Sequence, residues 1–268
     1  MLLCTRDDLA RLITGKRVAL VGSGPGAAEN PPGFVDSHDV VIRVNNYHLT
    51  AGSGSRCDIH YSFYGRSIKK LGSELKRDGV QVCWAKCPDA QAIESEWHIL
   101  NRKINGIDFR YIYREREHWW PVPVYIPSVA EFRDKFELLN LHVPTTGFSA
   151  LLDVLALKPA NLFLTGFDFF QSYIHNGKDA WRQNNPNDPI GHLPQLEKAW
   201  LKARVEHLPI TMDAALSNAL VTDPEPPPKR QPSMSRRERL QRLRELEQKK
   251  LRLAKKMRIK HQGRPEVA

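Results

Sequence analysis

Two glycine-bearing turns and two histidines hold the residues whose types and spacing could do chemistry. The first turn, Gly22-Ser23-Gly24-Pro25-Gly26, follows directly on the apolar run Arg17 to Val21. A turn of this kind after a strand lets backbone N–H groups approach a phosphate, and a helix N-terminus beyond it adds favourable charge. Gly22-x-Gly24-x-x-Ala27 satisfies the dinucleotide fingerprint loosely. A dinucleotide site also wants an acidic residue at the end of the second strand, to hold the ribose hydroxyls. Here the second apolar run, Asp39 to Val44, stops at Asn45. An asparagine still donates and accepts toward a ribose or a base, so a nucleotide passes the test while NAD passes it poorly. A glycine turn serving only tight strand-to-helix packing is the plain alternative.

The second turn, Pro144-Thr145-Thr146-Gly147, leads into a helical pattern that runs to Leu157. His192 stands before another helical pattern, Pro194 to Arg204, with Glu197 in its first turn. An imidazole titrates near neutral pH and suits a general base, which Glu197 either orients or leaves alone to cap the helix. His175 lies in the polar stretch Gln171 to Gly191, a long loop. An ordinary surface histidine is the competing reading at both positions. No Asp-x-Asp occurs, and Cys83-x-x-x-Cys87 has no second Cys or His pair at metal-ligand spacing. Neither a metal nor a resident cofactor is therefore expected, and the four cysteines read as reduced thiols. Tyr47, Tyr61 and Tyr64 either line a ligand pocket or pack in the core. Trp119 and Trp120 either stack on a ligand ring or do the same.

The elements that must position these residues are legible as alternating strands and helices. After a short N-terminal helix, strands are predicted over 17–21, 39–44, 57–63, 80–84 and 161–165, with helices over 68–77, 90–101, 146–157 and 194–204. That alternation implies an α/β fold, one Rossmann-like domain with a mostly parallel sheet and helices on both faces. The domain is expected to span 1–222, since Thr222 to Ser233 is a proline-rich linker over about 223–234. Residues 235–268 then read as a basic amphipathic helix and tail. Ser235 and Glu238 offer a capping box, and Leu240, Leu243, Leu246, Leu253 and Met257 fall on one side.

Charge divides the chain the same way. Residues 229–268 hold 15 Lys/Arg and 4 Asp/Glu, while the rest of the 268-residue chain holds 25 and 26, so the formal +10 comes from the tail. Apolar residues make up 41% and aromatics 9%, which excludes a wholly disordered chain. No run reaches the roughly 18 apolar residues of a membrane span, and the N-terminus lacks a signal-peptide pattern. A cytoplasmic location is the expectation, with the tail free to hold the protein at an inner membrane surface.

The stretch from Val18 to Tyr47, with Ser37-His38-Asp39, Arg43 and Asn45 after the glycine turn, resembles the L motif of the eukaryotic-type sialyltransferases. Pro144 to Gly147, its helix, the strand Asn161 to Thr165 and Gly166-Phe167 resemble the S motif. Asn184-Asn185-Pro186 and His192-x-x-x-x-Glu197 resemble motifs III and VS, in the family's order. The resemblance implies a GT-A-like fold and an inverting, metal-independent transfer of sialic acid, or a related keto-sugar acid such as Kdo, from its CMP ester to a glycan hydroxyl. It implies that Gly22, Ser23, Gly24, Asn45, Thr145, Thr146 and Gly147 hold CMP. His192 would be the base, and His175 would stand in for the motif III histidine. The two asparagines usual in the L-motif loop fall at Ser23 and Gly26, and the cysteines joining the L and S motifs in secreted members fall near Val18 and Pro159. The partners implied are a CMP-sugar donor and a glycan or lipid-linked glycan acceptor. Two other readings stand beside it: a nucleotide-dependent oxidoreductase, and a non-catalytic protein whose tail binds RNA or a membrane.

Overall fold

In the computed structural model the chain is described over residues 2–64, 70, 72–89, 122–140, 142–169, 192–222, 241 and 245. Among these residues seven strands form a single sheet: β1 (Arg17–Val21), β2 (Val40–Val44), β3 (Ile59–Ser62), β4 (Val82–Ala85), β5 (Val124–Tyr125), β6 (Asn161–Thr165) and β7 (Ile210–Met212). Their order is β5-β4-β3-β2-β1-β6-β7, and every neighbouring pair is parallel. The α/β reading from the sequence is thus the observed one.

Parallel strands sandwiched between helices are covered on both faces, and the central ones are buried throughout, with Arg43, His60 and Ser62 as polar members among apolar neighbours. β2, β3 and β4 are buried at every position. Val18 and Leu20 of β1, Ile42 of β2 and Leu162 and Leu164 of β6 pack with Leu9 and Ile13 of α1 (Arg6–Ile13), and with Leu151 and Val154 of α4 (Thr146–Ala156). Leu201 of α5 (Pro194–Lys202) and Leu216 and Leu220 of α6 (Ala214–Val221) join the same face. Elsewhere Cys57, Cys83, Ala85 and Val124 pack with Leu75 of α2 (Gly72–Arg77) and Phe132 and Phe136 of α3 (Val129–Leu138). Ala19, Val21, Val41 and Phe163 meet Ala27 and Val35 of two short 3₁₀ turns.

The predicted strands at 17–21 and 161–165 are reproduced, and β2, β3 and β4 differ from expectation by one or two residues at their ends. The helix expected over 90–101 lies outside the described residues, as do most of the linker and tail; Gln241 and Glu245 are helical and exposed. Among the described residues, no helix is long and apolar enough to cross a membrane.

Register aligns the strand ends. Val21 pairs with Arg43 of β2 and with Thr165 of β6, Val44 with Tyr61, and Tyr61 with Trp84. Gly22, Asn45, Phe63, Lys86 and Gly166 therefore leave the sheet along one edge. The chain builds outward from β1 to β5, then crosses back to place β6 on the other side of β1. The carboxyl ends of β1 and β6 thus mark the topological switch point, where open α/β sheets bind their ligands.

One buried ion pair ties the helical layer together. Lys135 of α3 donates to Asp153 of α4 at 2.6 and 2.7 Å, and Asp153 also accepts from the Tyr61 hydroxyl at 2.6 Å. Asp153→Ala would leave the Lys135 ammonium, 5% exposed, without its counter-charge. We expect a loss of about 3 to 5 kcal/mol in denaturant unfolding, with Lys135→Met in the same chain restoring most of it.

Candidate active site at the carboxyl edge of the sheet

The first glycine turn hugs β6. Gly22 donates to Thr165 O at 2.8 Å and Gly24 to Gly166 O at 2.9 Å. A β-carbon on Gly22 would lie 2.3 Å from the Gly166 carbonyl oxygen, and one on Gly24 2.7 Å from it. These two glycines are thus required by backbone packing, whatever ligand they meet. The turn runs into a 3₁₀ segment, Pro25–Glu29, and not into the α-helix the phosphate-loop pattern implied, so a long helix dipole is absent at this point.

Gly166 has φ of +72°, a left-handed conformation that suits glycine. Asp213, the N-cap of α6, holds it there: its Oδ2 accepts from Gly166 N–H at 2.9 Å and Thr165 Oγ1 at 2.7 Å, while Oδ1 accepts from Leu216 N–H. Phe167 then projects between the two turns. Its ring would be 3.4 Å from a Gly22 β-carbon and 2.5 Å from one on Gly147. The Gly22 loop and the Thr145–Gly147 turn, over 120 residues apart in the chain, so meet across one aromatic ring.

Val21, Gly22, Ser23 and Gly24 floor a cleft of about 50 Å³ whose other wall is Asn46, His48, Thr50 and Ser53. That wall is rigid for its size. Thr50 and Ser53 exchange backbone-to-hydroxyl bonds at 3.0 Å, Ser53 Oγ donates to His48 O, and the buried Arg43 guanidinium donates to Ser53 O at 2.6 Å and Arg56 O at 2.7 Å. Asn45 itself is turned toward β3. With φ of +55° it accepts Ser62 Oγ at its Oδ1 (3.1 Å) and His60 Nε2 at its carbonyl (2.8 Å). Burial pushes His60 down to about 4, so it stays neutral near pH 7 and serves as a donor to that carbonyl. Asn45 Nδ2 has no acceptor among the described residues. Asn46, His48 and Ser53 escape the sequence reading; their signal was only their place just beyond a strand end.

The second turn is held by side chains. Thr145 caps α4, accepting Phe148 N–H at 3.1 Å, and gives both its N–H (2.6 Å) and its hydroxyl (2.8 Å) to the carboxylate of Glu197. Its polar groups are committed within the protein. The N–H groups of Thr146 and Gly147, in the first turn of α4, have no acceptor among the described residues.

His192 Nδ1 lies 2.7 Å from Val143 O. A carbonyl only accepts, so Nδ1 carries the proton and the neutral ring has its lone pair on Nε2. Glu197 places both carboxylate oxygens on Thr145, and so anchors the turn beside His192. His175, Trp119 and Trp120 lie outside the described residues.

The three tyrosines are core residues with occupied hydroxyls: Tyr47 donates to Asp78 at 2.8 Å, Tyr61 to Asp153, and Tyr64 to His60 O at 2.8 Å. Cys57, Cys83 and Cys87 are buried free thiols, and burial pushes Cys57 and Cys83 up to about 12, far from nucleophilic range. Among the described residues, no group of three or more His, Cys, Asp or Glu is placed to hold a metal ion.

No protein-family model and no curated protein matches the chain. Among solved structures it is similar to the sialyltransferase CstII from Campylobacter jejuni in complex with CMP-3FNeuAc, at 13% identity and a TM-score of 0.46, over 77% of this chain and 85% of that one. CstII with a trisaccharide acceptor and CMP gives 10% and 0.47 over 78% and 86%. An α-2,3-sialyltransferase from Campylobacter jejuni gives 14% and 0.46 over 87% and 90%. Likeness at this level assigns neither residues nor activity to this chain.

Burial raises the Glu197 carboxyl from its ordinary 4.5 to about 7. Between those values the folded chain keeps a proton that the unfolded chain has released. The stability this group contributes is therefore full below pH 4.5 and lost as the pH rises through 7. Stability in urea unfolding of the wild type should fall across that window, and Glu197→Gln, which cannot titrate, should show a shallower fall over the same range.

Proposed function

We propose that the chain is a glycosyltransferase that moves sialic acid, or a related keto-sugar acid such as Kdo, from its CMP ester to a glycan hydroxyl with inversion. The observation that carries this reading is the His192 Nδ1 bond to Val143 O, three residues ahead of the first-turn N–H groups of α4. A base and a set of anion-directed donors side by side are what a one-phosphate leaving group requires.

In the proposed step Nε2 takes the acceptor hydroxyl proton as that oxygen bonds to the anomeric carbon. The bond from the anomeric carbon to the CMP phosphate oxygen breaks on the opposite face. The electron pair leaves with the phosphate, where the N–H groups of Thr146 and Gly147 meet the charge, aided by the positive end of α4. Gly22, Ser23, Gly24 and Asn45 would hold the nucleotide from the β1 and β2 side, with Thr145 keeping the turn in place. His175 is the candidate second donor to the phosphate. One phosphate needs no bridging cation, so transfer is expected to proceed in EDTA. His192→Ala should lower turnover, read as CMP release in EDTA, by about a hundredfold or more while CMP affinity stays nearly unchanged. Activity within a few-fold of wild type would remove His192 from this role.

The same proposal extends to the tail. Its net +11 and leucine stripe suit an anionic membrane surface that presents a lipid-linked acceptor, with the enzyme cytoplasmic and peripheral. Each Lys or Arg at such a surface contributes about 1 kcal/mol. Deleting residues 229–268 should abolish sedimentation with phosphatidylserine vesicles and preserve CMP release with a soluble acceptor; vesicle binding by the truncated chain would count against the tail as anchor.

A further inference from the structure

The three residues that lead into α4 are gripped at four polar groups by side chains from elsewhere. Val143 O meets His192 Nδ1 at 2.7 Å, Pro144 O accepts from Lys86 Nζ at 2.6 Å, and the N–H and hydroxyl of Thr145 reach Glu197 at 2.6 and 2.8 Å. His192 and Glu197 come from one segment. Lys86 comes from the far side, at the end of β4, and is only 3% exposed.

A lysine in that position is costly unless it does something a methionine would not, because an ammonium taken out of water loses several kcal/mol of hydration. Its hydrogen bond goes to a carbonyl, which repays part of that loss. Glu197 supplies the nearby negative field, and the effect is mutual: the Glu197 charge favours the ammonium and Lys86 favours the carboxylate. The other charged neighbours of Lys86 are Lys135 and Asp153, which neutralise each other at 2.6 Å, with the Cys87 thiol beside it in the chain. Among the described residues, Lys86 is therefore the cation that acts on Glu197.

We propose that Lys86 is a positioning residue of this site: its ammonium fixes the Pro144 carbonyl and favours the ionised form of Glu197 that accepts both Thr145 groups, so that the α4 N-terminus and the His192 ring keep one geometry. Its link to transfer rests on the function proposed above; the clamp itself does not. A protonated Glu197 offers one accepting oxygen and one O–H, and that O–H competes for the Thr145 hydroxyl oxygen already bonded to Phe148 N–H. Losing Lys86 favours this form.

The test uses the full-length chain, first without ligand. Carboxyl ¹³C titration of Glu197 and amide exchange at Thr145 are compared in the wild type and Lys86→Met. We expect the Glu197 midpoint to rise by about half a pH unit or more, and Thr145 exchange to speed up by about tenfold or more near pH 7. If Lys86→Met does not fold, Lys86→Gln decides, since its amide still donates to a carbonyl but bears no charge: it must raise the midpoint. Next, the acid limb of the kcat profile for CMP release should move up with the Glu197 midpoint in the Lys86 variant, and the Lys86 substitution should cause no such shift in a Glu197→Gln background. A folded Lys86 variant with the wild-type Glu197 midpoint and Thr145 exchange overturns the proposal. A wild type that binds no CMP overturns the transferase reading instead, and the titration still decides Lys86.

Discussion

The site depends on one backbone contact. Gly22 and Gly166 approach so closely that neither tolerates a β-carbon: one on Gly22 would lie 2.3 Å from the Gly166 oxygen, and one on Gly166 would lie 2.9 Å from the Gly22 oxygen. Because β1 and β6 are the strands on either side of the chain's change of direction, this contact closes the floor of the crevice at the switch point. It also sets where Phe167 stands, and Phe167 in turn stands against Gly147 at the start of α4. A displacement at Gly22 would therefore be transmitted through a packed ring to the first turn of α4, since close-packed interiors pass strain on.

Around that floor the protein buries charges that packing alone would not select. Arg43, fully buried, bonds to the carbonyls of Ser53 and Arg56, and its Nη1 has no partner among the described residues. Lys86 bonds to Pro144 O and Glu197 to Thr145. Each such group gives up hydration, so the net gain in stability is small; what it gives in return is a fixed loop geometry. The cleft wall at His48 to Ser53 is held this way from β2, and the turn at Val143 to Thr145 from the end of β4 and from α5.

The sequence reveals elements in proportion to how local their causes are. β1 and β6 are legible to the residue because an unbroken apolar run ends in glycine in both. β5 is a two-residue strand following Pro123, and β7 is half exposed with Thr211 facing out; neither has the length or the pattern to stand out, and both exist because a neighbour offers an edge. Residues 2–4 even extend that edge, pairing Leu3 with Val124. α3 escaped reading although Ser128 and Glu131 form a capping box that local spacing could have shown. In the site, the two turns, His192 and Glu197 are visible as motifs, but Lys86 is not. A lysine after an apolar strand reads as the start of a solvated loop, and only the tertiary contact with Pro144 reverses that.

The spacing of His192 and Glu197 acquires a physical meaning from the same contact. Pro194 opens α5, so the imidazole lies just ahead of the helix and the carboxylate in its first turn. One rigid segment thereby reaches Val143 with its leading residue and Thr145 with the other, two residues apart on the turn it holds. Shortening or lengthening the interval would rotate Glu197 by about 100° per residue around the helix and take it off Thr145. The interval is therefore a condition for the grip, whichever ligand occupies the crevice. With Lys86 opposing from the sheet, the turn is fixed from two sides before anything binds. Under the proposed transfer, donors fixed in this way would need no reorganisation as charge develops on the leaving group, and preorganised dipoles are usually the largest single contribution to such a step.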